Sequence, residues 1–324
     1  MDQAITQWFN SLAGSNALLD SIMIMATKVG IPLLVARDPA KVFRPPHVRN
    51  HSPSSSKQAE VPIMRSELIC SLVAAACVVA APPAEGALCA KQSPPYTVAL
   101  VELYTSEGCD SCPRADRWLS GIAREGPGAD SVVALALHVD YWDRLGWKDR
   151  FASARFSERQ QELTHVAGGR TVYTPGVFFN LQEFRGWDSQ ARFRRALRAA
   201  NARPAGADIR LEIETQSPGR FGIKASFKAK SGAAGAPQAF LAVYENRLRT
   251  DVGAGENRGV TLRHDFVVRE WIGPIRVAGA AELSHLLPLG RDWKAEDLGV
   301  AAFVQDAGGR DILQATALSA CSPT

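Results

Sequence analysis

The chain has 324 residues, 46% of them hydrophobic and 22% charged, the make-up of a soluble globular protein with room for two cores. Its net charge of +4 and pI near 8.8 are mild. The basic residues are scattered except for Arg192, Arg194, Arg195, Arg198 and Arg203, a solvated helix face without interleaved aromatics, so no nucleic-acid partner is expected.

Residues 1–36 differ in character from the rest. Met1–Asn10, Leu18-Leu19-Asp20 and Ile31-Pro32-Leu33-Leu34-Val35 resemble the first helices of phosphatidic-acid-phosphatase-type membrane lipid phosphatases. That family's Pro-Ser-Gly-His and its later Arg and His motifs are missing, so no phosphatase activity is implied. Asp20 and Lys28 break the apolar run as a membrane span. Residues 37–63 are basic and rich in Pro and Ser, with too little apolar surface to order themselves. At Met64 the pattern changes to Met-Arg-Ser-Glu, an apolar run from Leu68 to Ala81, and Pro82-Pro83-Ala84-Glu85-Gly86-Ala87. This reads as a signal peptide over 64–87, cleaved after Gly86 or Ala87, the other reading being a buried helix. The run is too short to cross a bilayer, and no stable span is expected in the mature chain. Translation from Met64 would make residues 1–63 upstream sequence.

Export sets the redox context. Without the signal, Cys89, Cys109, Cys112 and Cys321 remain, an even set for a periplasmic or secreted protein. Cys109 and Cys112 form a local pair. Cys89 and Cys321 lie at the two ends of the mature chain and are expected to be joined in a structural disulfide, the other reading being two free thiols.

From 88 to 204 the elements alternate. A strand over 98–104 leads into a helix in which Ala115, Trp118, Leu119 and Ile122 share one face. Gly126-Pro127-Gly128 ends it, and Ser131–Val139 reads as a buried parallel strand. A helix over about 153–167, a hairpin of Val177–Asn180 with Glu183–Gly186, and a helix N-capped by Asp188 follow. Beyond Pro204 short alternating strands appear at Ile209–Ile213, Phe221–Phe227, Phe240–Tyr244, Thr261–Arg269 and Gly299–Val304. The expected fold class is therefore an α/β thioredoxin-like domain over 88–204 followed by a β-sandwich-like domain over 205–324.

The chemistry centres on Cys109-Asp110-Ser111-Cys112, placed where a strand and short loop meet a helix. A thiolate is the attacking species in disulfide exchange, and helix N-terminal amides stabilise it. Cys109 is expected to be the exposed nucleophile and Cys112 the shielded resolving thiol. No second close pair completes a zinc site, and neither a metal nor a cofactor is expected. Glu102 is an acid in an apolar strand, either assisting the resolving cysteine or held in a salt bridge. His138, Asp140 and Trp142 follow the second strand at its C-terminal end, where they line a substrate groove or form a packed loop.

Val101–Asp116, His138–Phe151, Tyr173-Thr174-Pro175 and Gly255–Arg269 resemble a family of secreted bacterial proteins of unknown function with a thioredoxin-like domain, over about residues 96–318. The resemblance implies export and a redox-type site. It also implies that Pro175 has a cis peptide bond beside the cysteines, with Tyr173 and Thr174 contacting substrate, and that the 255–269 segment is a structural hairpin or touches the redox face. The expected activity is thiol-disulfide exchange with a thiol- or disulfide-bearing protein or small molecule. The alternatives are a copper or other soft-metal module using Cys109, Cys112 and His138, and a non-enzymatic envelope protein with a structural disulfide.

Overall fold

A computed structural model of the protein describes residues 88–125, 128, 130–216, 220–230 and 235–321. The expected head, linker and signal at 1–63 and 64–87 lie outside them. Among the described residues no helix is long and apolar enough to cross a membrane.

The first half contains β1 (Leu88–Gln92), β2 (Ala99–Thr105), α1 (Cys112–Glu125), β3 (Val132–His138), α2 (Ala154–Val166), β4 (Gly176–Phe179), β5 (Gln182–Glu183) and α3 (Gln190–Asn201). Among its described residues the second half contains only strands and one short 3-10 turn: β6 (Ala207–Gln216), β7 (Arg220–Ala229), β8 (Gln238–Glu245), β9 (Leu248–Asp251), β10 (Thr261–His264), β11 (Val267–Arg276), β12 (Ala280–Pro288), β13 (Leu298–Gln305) and β14 (Ile312–Ser319).

These strands form an eight-stranded mixed sheet, in the order β14-β13-β8-β11-β3-β2-β4-β5, a four-stranded sheet β1-β6-β7-β12, and the ribbon β9-β10. The expected α/β thioredoxin-like domain followed by a separate β-sandwich-like domain is thereby corrected. Among the described residues strand outweighs helix about two to one, and the large sheet takes four strands from each side of residue 204. The join is the parallel pairing of Val267 in β11 with Ala136 in β3, where the Ala136 N–H donates to the Phe266 carbonyl at 2.8 Å. β8 and β13 are buried along almost their whole length because they are central strands. The proposed strand 261–269 is likewise two strands: Phe266 takes φ 60° and turns the chain from the ribbon into the large sheet.

Side-chain alternation divides the core. Ala99, Val101 and Leu103 of β2, with Val132, Ala134 and Ala136 of β3, face the apolar side of α1 (Ala115, Leu119, Ile122) and α3 (Phe193, Leu197). Truncating fully buried Leu119 to Ala would cost about 2–5 kcal/mol. The opposite face of β2 and β3 carries Leu100, Tyr104, Val133, Leu135 and Leu137 against α2 and the aromatics Phe240, Trp271 and Phe303. A third cluster lies between the four-stranded sheet and strands β8 and β13 of the large one. Helix α3 is capped by Ser189, whose hydroxyl accepts from the Arg192 amide, while Asp188 pairs with Arg114 instead. Cys89 of β1 is joined to Cys321 after β14, with Cα atoms 6.0 Å apart.

Candidate functional site

Strand β2 ends at Thr105 and the chain turns tightly through Ser106-Glu107-Gly108, where the Cys109 amide donates to the Ser106 carbonyl. Cys112 opens α1, so Cys109 lies in the turn before the helix rather than at its first residue. The two cysteines form a disulfide, Cα to Cα 5.4 Å. Both are fully buried, which corrects the expectation that Cys109 is exposed, although Asp110 and Ser111 between them are open to solvent. The Ser111 hydroxyl lies 3.4 Å from the Cys109 sulfur.

Behind this turn lies a group of buried titratable side chains. His138, at the end of β3, is on the α1 side of the sheet, and its Nδ1 is 2.6 Å from Asp149 Oδ2. The same carboxylate accepts from the amides of Glu107 (2.8 Å) and Phe151 (2.9 Å). Burial alone would push Asp149 up, but the His138 charge and these hydrogen bonds hold it below its ordinary value. Burial would likewise depress His138, yet Asp149, with Asp116 and Glu107, raises it. Burial would push Glu107 up, but His264, whose Nε2 lies 3.5 Å from its carboxylate, with Thr250 and the hydrogen bond that Trp147 Nε1 donates at 2.9 Å, lowers its pKa. Asp116, one helical turn after Cys112, is raised by burial despite facing His264 at 3.8 Å.

The cis peptide Thr174–Pro175 precedes β4. Trp142 links it to the cysteine turn: its Nε1 donates to the Thr174 hydroxyl at 2.7 Å, and its Cβ lies against Gly108. Tyr173, 41% exposed, hydrogen-bonds Glu183 through its hydroxyl, while its carbonyl accepts from Gln160 Nε2 at 2.8 Å. A groove of about 510 Å³ opens here, lined by Arg170, Tyr173, Pro175, Glu183, Arg185 and Trp187 among others.

Two expected site residues lie elsewhere. Glu102 points to the face of β2 opposite α1, where its Oε1 accepts from Arg159 Nε at 2.7 Å; alternation along the strand keeps it from the cysteines, and its role is the salt bridge. Asp140 accepts from the Ser157 hydroxyl and thereby ties the loop to the start of α2. His138 is engaged by Asp149, and among the described residues no group of three or more His, Cys, Asp or Glu side chains is arranged to hold a metal ion.

Sequence reasoning missed Glu107, Asp116, Asp149, His264, Glu256 and Asn257. The visible signal for Asp116 was its spacing of four from Cys112, which puts both on one helix face. The last three come from within or beside the ribbon β9-β10 and reach the turn only through the tertiary fold.

The family described as "Protein of unknown function (DUF1223)" is matched over residues 100–305. No curated protein matches the chain. Among solved structures, a crystal structure of an Agrobacterium tumefaciens protein is 26% identical, with a TM-score of 0.50, covering 70% of this chain and 96% of its own. HBP35 of Porphyromonas gingivalis, 15% identical with a TM-score of 0.52, covers 69% of this chain and 76% of its own, a likeness of fold alone. The family match begins at residue 100, so it lends no support to the phosphatase resemblance of the head.

Proposed function

The chain belongs to the DUF1223 family, and we propose that it is an exported thiol-disulfide oxidoreductase whose working groups are Cys109 and Cys112. The observation that carries this reading is the short-range disulfide at the mouth of α1, set between solvent-open Asp110 and Ser111 in front and buried acids and histidines behind. A purely structural bridge has no need of that surrounding.

In the reducing direction the Cys109 thiolate attacks a substrate disulfide, forms a mixed disulfide and releases one substrate thiolate. Cys112, as thiolate, then attacks the Cys109 sulfur, closes the Cys109–Cys112 bond and releases the second substrate thiolate. The substrate is reduced by two electrons and the protein oxidised by two; the reverse sequence oxidises a dithiol. Cys109 takes the attacking role because it lies in the turn next to solvent-open Asp110, ahead of the helix that Cys112 opens. The groove lined by Tyr173 and Pro175, with Thr174 between them in sequence, is the proposed substrate contact, and Trp142 ties Thr174 to the cysteine turn. The signal-like segment at 64–87 and the second disulfide, Cys89–Cys321, support a periplasmic or secreted location.

The test is exchange with a model disulfide. Cys109→Ser should abolish it, Cys112→Ser should accumulate a mixed disulfide on Cys109, and Pro175→Ala should slow turnover while both thiols remain titratable. Equal alkylation of the two cysteines, with no trapped species, would remove this reading. Complete burial of both cysteines favours a second one, a non-enzymatic envelope protein in which the bridge is structural.

A further inference from the structure

Exchange at a disulfide requires the attacking sulfur to reach one of its atoms, yet Cys109 and Cys112 have no exposed surface. The turn that carries Cys109 is tied down from far along the chain. Asn257, 148 residues from Cys109 and itself buried, donates through Nδ2 to the carbonyls of both Glu107 and Cys109, each at 2.9 Å. The neighbouring Glu256 accepts from the Asp110 amide at 3.1 Å. Three backbone groups around the nucleophile, at Glu107, Cys109 and Asp110, are thus held by two adjacent side chains. Both belong to the tip of the β9-β10 hairpin, whose neck is closed by hydrogen bonds between Val252 and Val260 (3.0 Å) and between Gly259 and Val252 (2.8 Å).

The base of the hairpin is firmly placed and its tip is lightly held. At the base, Leu248 and Leu262 are buried, and His264 lies against Glu107 and Asp116. At the tip, Gly253, Gly255, Glu256, Arg258, Gly259 and Val260 are all exposed, and Asn257 alone is sunk into the protein. Gly255 has φ +74°, and a Cβ there would meet Trp147 at 3.2 Å, so the tip lies close over the loop that follows β3. Withdrawing Asn257 would leave the buried Glu107 carbonyl without its donor and the Cys109 carbonyl with only the Cys112 amide at 3.3 Å, but would open no core packing. Such a contact can be broken by a partner that replaces those hydrogen bonds.

We propose that the hairpin tip Gly253–Val260 is a strap that gates the dithiol: while Asn257 and Glu256 hold the turn, Cys109 is closed to exchange, and release of the tip opens it. Asn257 and Glu256 are positioning residues, acting through the backbone of the turn. This rests on the redox reading of the same site. It means that a substrate or partner protein must lift the tip before a mixed disulfide forms.

The gate is tested without a physiological substrate, by the rate at which a water-soluble phosphine reduces Cys109–Cys112 in the purified protein, with Cys89–Cys321 as internal reference. Asn257→Ala should speed reduction of Cys109–Cys112 tenfold or more and leave the reference bridge unchanged. Glu256→Ala should accelerate it a few-fold, while Glu256→Gln, whose side-chain carbonyl still accepts from the Asp110 amide, should stay near wild type. A reference bridge that is also reduced faster in Asn257→Ala reports general loosening, and the Glu256→Ala against Glu256→Gln comparison then decides. Equal rates in wild type, Asn257→Ala and Glu256→Ala would overturn the gate. That failure leaves the redox reading intact, because mixed-disulfide trapping on Cys109 tests it separately.

Discussion

Replacing Glu102 by Gln separates a catalytic acid from a structural one. Glu102 and Arg159 are 1% and 6% exposed, with Nε and Oε1 2.7 Å apart. The guanidinium carbon lies 4.9–5.3 Å from the ring centres of Trp271, Phe240 and Phe303. Neutralising the carboxylate leaves a buried cation that cannot give up its proton, a loss of about 3–5 kcal/mol. The three aromatic faces attract the cation whether or not Glu102 is charged, and they limit the loss to the lower end, about 3 kcal/mol. With a urea m-value of about 2–3 kcal/mol/M, the midpoint should fall by about 1 M or more. Reduction and alkylation rates at Cys109 should not change, since Glu102 faces the other side of β2. Exchanging both partners for apolar residues, Glu102→Met with Arg159→Met, should recover most of the loss. A midpoint shift under about 0.3 M, or a slowed Cys109 reaction in a fully folded Glu102→Gln protein, would refute this assignment.

The His138–Asp149 pair sets a stability window. Asp149 is held below its ordinary value of 3.8 and His138 above its ordinary 6.5. Their contribution is therefore whole between those values, declining as pH falls through the lowered Asp149 pKa and as pH rises through the raised His138 pKa. Asp149→Asn should flatten both limbs of the unfolding free energy against pH and cost about 3 kcal/mol near pH 6; unchanged limbs would show that the pair does not set them. Asp116 is shifted the other way, so the folded state holds its proton more tightly than the unfolded chain and stability falls as pH rises through that interval. Asp116→Asn should accordingly be more stable than wild type at pH 7 and no more stable at pH 3, as read by thermal unfolding at the two pH values. Equal differences at both would mean that Asp116 is not carrying a buried charge.

The cysteine motif, helix α1 and strand β3 were legible because each rests on local pattern: a tight turn, a face repeating every three or four residues, and a continuous apolar run. The sheet's continuation across residue 204 was not. Runs such as Phe240–Tyr244 and Gly299–Val304 read alike whether they line a sandwich or form the middle of a sheet, and only the pairing of Val267 with Ala136 distinguishes them. Glu102 was visible as an anomaly, but its meaning depended on Arg159, 57 residues later on another helix. Strands β1, β9, β12 and β14 went unread; β12 is partly exposed along its length and lies at a sheet edge, where its pattern is weak. The burial of Cys109 could not be read at all, since Asn257 reaches that turn only through the tertiary fold.

The reduction potential of Cys109–Cys112 tests the proposed function most directly. The protein would be equilibrated across a series of thiol-disulfide buffers, and each bridge quantified by differential alkylation. A working exchange site should titrate within the range of known oxidoreductases, about −120 to −270 mV, and reach the same endpoint from the oxidised and the reduced form. A potential below about −300 mV, with no approach to equilibrium from either side, would identify a structural bridge and contradict the proposed function.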